Sequence, residues 1–182
     1  EQLKKIEIGI ATRLDMSENQ VNFIYLGIGS NLGNRKNNIE KAKFELVKKN
    51  IKIIKSSSYF ESLSWPNPKN PKFLNIILNV STNLKPLELL EKCKNIEIIL
   101  GRKKSLKNSP RICDIDIIDY NNTRIAIKNK IILPHPRMHK RNFVLLPFFE
   151  LNKDWIHPIS KYHIKRLILT LSNRDITSIK QI

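Results

Sequence analysis

Phe23-Ile24-Tyr25-Leu26-Gly27-Ile28, followed at once by Gly29-Ser30-Asn31-Leu32-Gly33-Asn34, frames everything downstream of it. The first six residues are an apolar run rich in strand formers, and the next six are a cluster that favours a turn. Past the turn, Ile39, Ala42, Leu46 and Val47 recur at helical spacing, with Phe44 slightly off the stripe, so a helix is expected over roughly 35–49. Ile51 to Tyr59 returns to strand character. A Pro- and Asn-rich loop, Ser64 to Pro71, separates it from the strand-like Phe73 to Thr82. Pro86 fits a first helical position, with Leu87, Leu89, Leu90, Cys93, Ile96 and Leu100 behind it and Gly101 as the stop. A basic loop, Arg102 to Arg111, leads to a further strand at Ile112 to Tyr120. Thr123 to Ile127 reads as a hairpin arm, Arg141 to Leu151 as a short buried helix or turn, and Ile159 to Leu171 as a terminal helix.

The order strand–helix–strand–strand–helix–strand is the split βαβ arrangement of ferredoxin-like α+β folds, expected here as a sandwich with an added hairpin and a C-terminal helix. The 182 residues suit one such domain over 21–182, preceded by a polar, charged linker or tail over 1–20. Hydrophobic residues make up 41%, which argues against wholesale disorder. No apolar run reaches the roughly 20 residues that span a bilayer, and no signal-peptide core opens the chain, so neither membrane insertion nor secretion is expected. Cys93 and Cys113 form no C-x-x-C pair and no zinc spacing, which suits packing residues in a reduced, cytoplasmic compartment. The net charge of +17 suggests a polyanionic partner, either nucleic acid or phosphorylated small molecules. The alternative is that scattered lysines only solvate the surface, since they form no single block. This fold hosts many functions, so the site must decide.

The sharpest chemical feature is Arg111-Ile112-Cys113-Asp114-Ile115-Asp116-Ile117-Ile118. Strand side chains alternate, so Cys113, Ile115 and Ile117 share one face while Asp114 and Asp116 share the other. Two carboxylates roughly 7 Å apart repel each other unless a cation lies between them. Such hard oxygen donors suit Mg²⁺, which favours carboxylates together with phosphate oxygens and water. A bare D-x-D can equally be a solvated outer face of an edge strand. Arg102, Lys103, Lys104, Lys107 and Arg111 beside it favour a metal-bound polyphosphate.

A second cluster, Pro134-His135-Pro136-Arg137-Met138-His139-Lys140-Arg141-Asn142-Phe143, puts His135 and Arg141 on a proline-stiffened loop able to hold phosphate oxygens. The glycine-rich turn lacks the Lys-Ser/Thr ending of a Walker A loop, and Leu32 stands where the dinucleotide fingerprint needs its third glycine. It reads as a tight strand-to-helix turn beside a site. Phe73 and Phe143 are core residues on ordinary expectation. Asn75 differs, because a buried amide needs partners and offers both donor and acceptor to a heterocycle's amide edge.

Taken together, Gly27 to Gly33, Phe73-Leu74-Asn75, Glu97 through Gly101-Arg102, Pro110-Arg111 with Asp114-Ile115-Asp116, and Pro134 to Phe143 make the chain resemble the 6-hydroxymethyl-7,8-dihydropterin pyrophosphokinases, over about residues 22–155. The resemblance implies the ferredoxin-like fold and transfer of pyrophosphate from ATP to a pterin alcohol, releasing AMP, in folate biosynthesis. It implies Asp114 and Asp116 as ligands of two Mg²⁺ ions. Arg102, Arg111, His135 and Arg141 would contact the triphosphate of ATP, with Arg102 and Arg111 on or beside a mobile catalytic loop. Asn75 would hydrogen-bond the pterin, Phe143 would stack on it, and Phe73 would lie near the same pocket. Glu97 matches an acidic position just before the loop. A cytoplasmic monomer with small-molecule substrates, free of nucleic acid and membrane, completes the expectation.

The chain departs from the family in carrying Ser62-Leu63-Ser64-Trp65 where Thr-Pro or a similar pair is frequent, and Asn108-Ser109 where some members have Trp-Gly. Two rival readings follow from the same residues. RNA-recognition domains share the element order and the basic charge, and would need aromatic platform residues such as Tyr25 on the central strands. A degenerate, inactive domain would not be expected to keep Asp114, Asp116, His135 and Arg141.

Overall fold

The apolar run Phe23 to Ile28 forms an inner strand of a sheet. In a computed structural model that describes residues 21–103 and 108–182, strand β1 (Asn22–Ser30) pairs antiparallel with β4 (Phe73–Thr82) on one side and with β5 (Asp114–Tyr120) on the other. The tail expected over 1–20, and Lys104 and Lys107 of the basic loop, lie outside the described residues. Strands β2 (Lys52–Ser56) and β3 (Phe60–Ser62) both pair with β4, so the strand expected over Ile51 to Tyr59 stops at Ser56 and a second, unexpected one begins at Phe60. Ser57 interrupts it: its amide donates to the Ile77 carbonyl and its hydroxyl accepts the Ile77 amide. A side chain here takes a ladder bond that backbone would otherwise make.

Helices α1 (Arg35–Lys48) and α2 (Pro86–Ile99) cover one face of the sheet. Ile39, Ala42 and Leu46 of α1 and Leu89, Cys93 and Ile96 of α2 pack on Ile24, Leu26, Ile28, Ile76, Leu78 and Ile115, all fully buried. Val47, expected on the buried stripe, is exposed, as is Phe44. The Asn34 side chain caps α1 by accepting the Asn37 amide. Helix α2 stops where expected: Gly101 adopts φ 94°, and the Arg102 amide returns to the Glu97 carbonyl. The split βαβ order is therefore as read, with β5 at one edge of the sheet.

Two segments differ from expectation. The glycine cluster does not end β1 at Ile28, because Gly29 and Ser30 still pair with Asn75 and Leu74, and Gly29 with Asp114. The turn itself falls at Gly33, φ 60°. At the other end, the helix expected over Ile159 to Leu171 is only α4 (Ile164–Leu169). Lys161 is left-handed at φ 60°, and His163 bridges to Ile156 before capping α4 with its ring. A further short helix α5 (Asn173–Thr177) follows, and β8 (Lys180–Gln181) extends the sheet beside β3. The hairpin arm is real: β6 (Ile125–Ile127) pairs with β7 (Ile131–Leu133) as a separate small sheet.

Helix α3 (Asn142–Leu151) and α4 cover part of the second face, where Phe148, Leu145, Ile164 and Trp155 pack on Ile77 and Ile118. Tyr25 emerges on this face, its ring 4.3 Å from that of Phe148 and its hydroxyl bonded by Asn152. It is a packing residue and offers no platform to an RNA base. Among the described residues no helix is long and apolar enough to cross a membrane.

A bulge in β5 gives this face a titrating group. Register slips between Tyr25 and Leu26, leaving Ile118 as the extra residue and turning Asp119 inward. Burial raises the Asp119 carboxyl to about 6, against the pull of the Asn122 amide. A carboxyl raised by folding contributes stability that is complete below its unfolded value near 3.8 and is lost as pH rises through about 6. That shift corresponds to at most about 3 kcal/mol. Asp119→Asn cannot ionise, so its stability relative to wild type should rise between about pH 4 and about pH 7.5 in urea titrations. A difference that stays constant across that window would contradict the assignment.

Candidate active site

On the second face, away from α1 and α2, register lines up two rows across three strands: Asn75, Gly29 and Asp114, then Ile77, Gly27 and Asp116. The middle member of each row is a glycine, and the cleft lies over them. A Cβ on Gly29 would stand 3.1 Å from Asn75 Oδ1 and 3.2 Å from a Phe73 ring carbon. One on Gly27 would stand 3.2 Å from Ile118. The glycines therefore leave a floor on which flat or charged groups can sit against the sheet, a role distinct from the turn expected of them.

The two aspartates emerge from β5 on the same side, with Cys113, Ile115 and Ile117 buried behind them, as alternation requires. Cations meet both. Asp114 Oδ1 lies 2.8 Å from Arg102 Nη1 and 3.3 Å from Arg111 Nη1. Burial would raise the Asp114 carboxyl, but Arg111 and Arg102 outweigh it and hold it below the ordinary range. Asp116 Oδ2 lies 3.4 Å from Arg141 Nη1 and 3.9 Å from His135 Nε2. Burial lowers the His135 imidazole, Asp116 opposes this, and Arg141 and Arg137 reinforce it. His135 is placed by the bulge, since its amide donates to the Ile118 carbonyl at 2.8 Å.

Behind this row, Glu97 is buried at 2% exposure and joins three elements. Its Oε1 accepts the Ile115 amide at 2.7 Å and the Lys94 ammonium at 2.9 Å, while Oε2 meets Arg102 Nη1 at 2.5 Å. Arg102 is thus held between Glu97 and Asp114. Arg111 is fixed through its backbone: its amide donates to Asn31 Oδ1 at 2.7 Å, and its carbonyl accepts the Asn31 amide at 3.1 Å.

Asn75, Phe73, Phe143, Arg102, Arg111, Arg141 and both aspartates all line the one cleft. Asn75 is buried and donates to Ser62 Oγ at 3.0 Å and to the Phe60 carbonyl at 3.3 Å. Phe143, at the start of α3, has its ring 5.5 Å from the Arg141 guanidinium. His135 faces an adjoining hollow that shares Asp116 and Lys94 with the cleft and has Leu90, Ile117 and Ile131 among its walls. Four more residues belong to this region; Trp65, Arg137 and Asn31 stand in the sequence within longer stretches singled out above, and only Lys94 had no place there. Trp65 and Arg137 line the cleft, Lys94 stands between cleft and hollow, and Asn31 ties the Arg111 backbone to the 64–71 loop. Asn31 was open to the reasoning applied to Asn75, since a buried carboxamide demands partners.

The donor set suits a hard divalent cation. Among the described residues no group of three or more His, Cys, Asp or Glu gathers to hold a metal. Two carboxylates facing a cation-lined cleft fit an ion that takes its remaining ligands from phosphate and water.

The model of the family described as 7,8-dihydro-6-hydroxymethylpterin-pyrophosphokinase matches residues 25–153. The chain is 40% identical over 143 residues to the 2-amino-4-hydroxy-6-hydroxymethyldihydropteridine pyrophosphokinase of Aquifex aeolicus, covering 78% of this chain and 88% of that one. It is 36% identical over 162 residues to the folic acid synthesis protein fol1 of Pneumocystis carinii, covering 88% of this chain but only 22% of that longer protein. The fold is shared with the crystal structure of Plasmodium falciparum HPPK-DHPS with pterin and p-hydroxybenzoate, at a TM-score of 0.73 and 17% identity, over 91% of this chain and 48% of that one. The chain therefore spans about half of that structure and about a fifth of the fungal protein. With the family model covering most of the sheet and both aspartates, the chain belongs to the 7,8-dihydro-6-hydroxymethylpterin-pyrophosphokinase family, a family of transferases in folate biosynthesis.

Proposed function

We propose that the cleft transfers pyrophosphate from ATP to the hydroxyl of 6-hydroxymethyl-7,8-dihydropterin. The observation that carries this is the pairing, on one strand face, of Asp114 and Asp116 with Arg102, Arg111 and Arg141, next to the Asn75 carboxamide and the Phe143 ring. The hydroxymethyl oxygen attacks the β-phosphorus, the bond from that phosphorus to the oxygen bridging the α-phosphorus breaks, AMP leaves, and the hydroxyl proton passes to solvent. Nothing in this step needs a protein nucleophile. Positioning and charge neutralisation supply the rate.

Asp114 and Asp116 would hold two Mg²⁺ ions, which when bound polarise the transferring phosphate and favour the alkoxide of the attacking hydroxyl. Arg102, Arg111, Arg141 and the neutral His135 then turn from the aspartates towards the triphosphate. The buried Nε of Arg141 has no hydrogen-bond partner among the described residues, a donor left for a ligand. The hollow walled by Leu90, Ile117 and Ile131 suits an adenine ring. Asn75 offers its carboxamide to the pterin, Phe143 stacks on it, and Phe73 closes the same end. The proposal includes a cytoplasmic monomer, in keeping with two buried free cysteines.

Two ATP analogues separate this reaction from ordinary phosphoryl transfer. The α,β-methylene analogue should bind and stay inert, whereas the β,γ-methylene analogue should still release AMP in the presence of the pterin. ADP-type products from either would overturn the reading. Gly29→Ala tests the floor, because the new Cβ displaces Asn75 and Phe73. The KM for the pterin should rise about tenfold or more, with the KM for ATP little changed. An unchanged pterin KM would contradict the role of the glycine.

A further inference from the structure

One row beyond Asp116 on the same sheet face, Tyr25 and Asp119 stand opposite each other across β1 and β5. A shallow hollow opens beside them, with Phe23, Asn122, Asn152, Asp154 and Trp155 among its walls. It shares no residue with the cleft, and pyrophosphate transfer makes no use of it.

Two buried side chains in this hollow carry an unused polar atom. Asp119 is 1% exposed and Trp155 is 4% exposed. Asp119 Oδ2 accepts the Asn122 amide at 2.9 Å, but among the described residues neither Asp119 Oδ1 nor Trp155 Nε1 has a hydrogen-bond partner. The indole N–H lies near enough to draw the carboxyl down, yet outside hydrogen-bonding geometry. With the carboxyl at about 6, it is ionised near neutral pH. A buried charge of this kind ordinarily has a partner.

The rest of the hollow has the same sign. Asp154 is exposed in its wall. Helix α3 ends beside it at Asn152 with no basic residue in its last turn, so the carbonyl end of the helix adds negative potential. The chain carries 33 Lys and Arg against 16 Asp and Glu, yet among the described residues no lysine, arginine or histidine lines this hollow. The remaining walls are largely aromatic, with Tyr25 half-buried and Phe23 57% exposed. A hard metal ion needs more oxygen donors than two carboxylates, and among the described residues no group of three or more His, Cys, Asp or Glu gathers. A carboxylate beside aromatic rings instead selects an organic ammonium, whose charge the ring faces attract.

We propose that this hollow is a binding site for a small primary alkylammonium ion, whose head group donates to Asp119 Oδ1 and whose carbon chain lies along Phe23. Asp154 and the end of α3 add to the attraction. The site stands apart from the cleft, so it holds or fails whatever the cleft binds.

The probe is n-butylammonium chloride, titrated near neutral pH into isotope-labelled protein and followed by amide and indole NMR, with n-butanol and potassium chloride as controls. The chain has two tryptophans, and Trp65→Phe identifies the indole signal of Trp155. n-Butylammonium should shift the Trp155 indole and Asn122 amide signals with a Kd of about 1 mM, the scale for a ligand of so few atoms. At about 20 mM it should raise the thermal midpoint by about 4 °C. Asp119→Asn should weaken binding about tenfold or more, and Phe23→Ala, at an exposed side chain, about threefold. AMP release should stay within about twofold in both variants, because their sites do not touch the cleft. A wild-type spectrum left unmoved by n-butylammonium overturns the proposal. So does an equal response to n-butanol, which would make the site merely apolar, or to potassium chloride, which would make it a matter of ionic strength. Unchanged affinity in Asp119→Asn overturns it as well.

Discussion

Asp116→Asn should lower kcat about 10³-fold, the scale seen when one preorganised electrostatic group is removed from a site of this kind. Asparagine keeps the size of the side chain and an acceptor for Arg141 Nη1, which lies 3.4 Å from the carboxylate. Only the charge is lost, and with it the affinity for a divalent cation. Asp116 is also 34% exposed at its side chain, so its fold contribution is small. Thermal unfolding should move by no more than about 2 °C, in line with a change under 1 kcal/mol. The measurement is the initial rate of AMP release at saturating substrates. A loss below about tenfold would mean that the carboxylate does not face a metal during transfer.

Glu97→Ala should cost stability and rate together. The change strands the buried Ile115 amide and removes the anchor of Arg102. An orphaned buried donor and a broken buried ion pair cost about 2–4 kcal/mol, which lowers the thermal midpoint by about 5–10 °C in a chain of this size. A loosened Arg102 should reduce kcat about 100-fold, as expected for a charge displaced by about an ångström. Glu97→Gln should recover part of the stability, because its carbonyl oxygen can still accept the Ile115 amide. It should recover less of the rate, since an amide nitrogen set against the Arg102 guanidinium repels it. Circular dichroism melts and rates on both variants separate the two roles. Equal recovery of stability and rate would make Glu97 a structural residue only.

The parts of the site that lie on regular elements were legible in the chain. Alternation along β5 placed Asp114 and Asp116 together, and element order placed β5 against β1. The cations were visible as residue types, but their division between the aspartates depends on where α2 ends and on the bulge at Ile118. The floor was harder to read. Gly27 and Gly29 looked like punctuation because glycine weakens an isolated strand, whereas here partners on both sides hold it in the ladder. The 64–71 loop takes its path from side-chain bonds to a distant residue, Asn31, and local pattern carries no signal for that path. The terminal helix was overestimated for a related reason. The apolar spacing of Ile159 to Leu171 ignores the left-handed Lys161 and the Ile156–His163 bridge, both set by packing.

The decisive measurement is AMP formation from ATP and Mg²⁺ by the wild-type chain, with and without 6-hydroxymethyl-7,8-dihydropterin. The proposed chemistry requires AMP to appear only when the pterin is present, matched by pterin diphosphate. If ATP stays intact while the folded protein binds RNA and releases it as salt is raised, the cleft is not a pyrophosphate-transfer site, and the +17 charge belongs to a nucleic-acid partner instead.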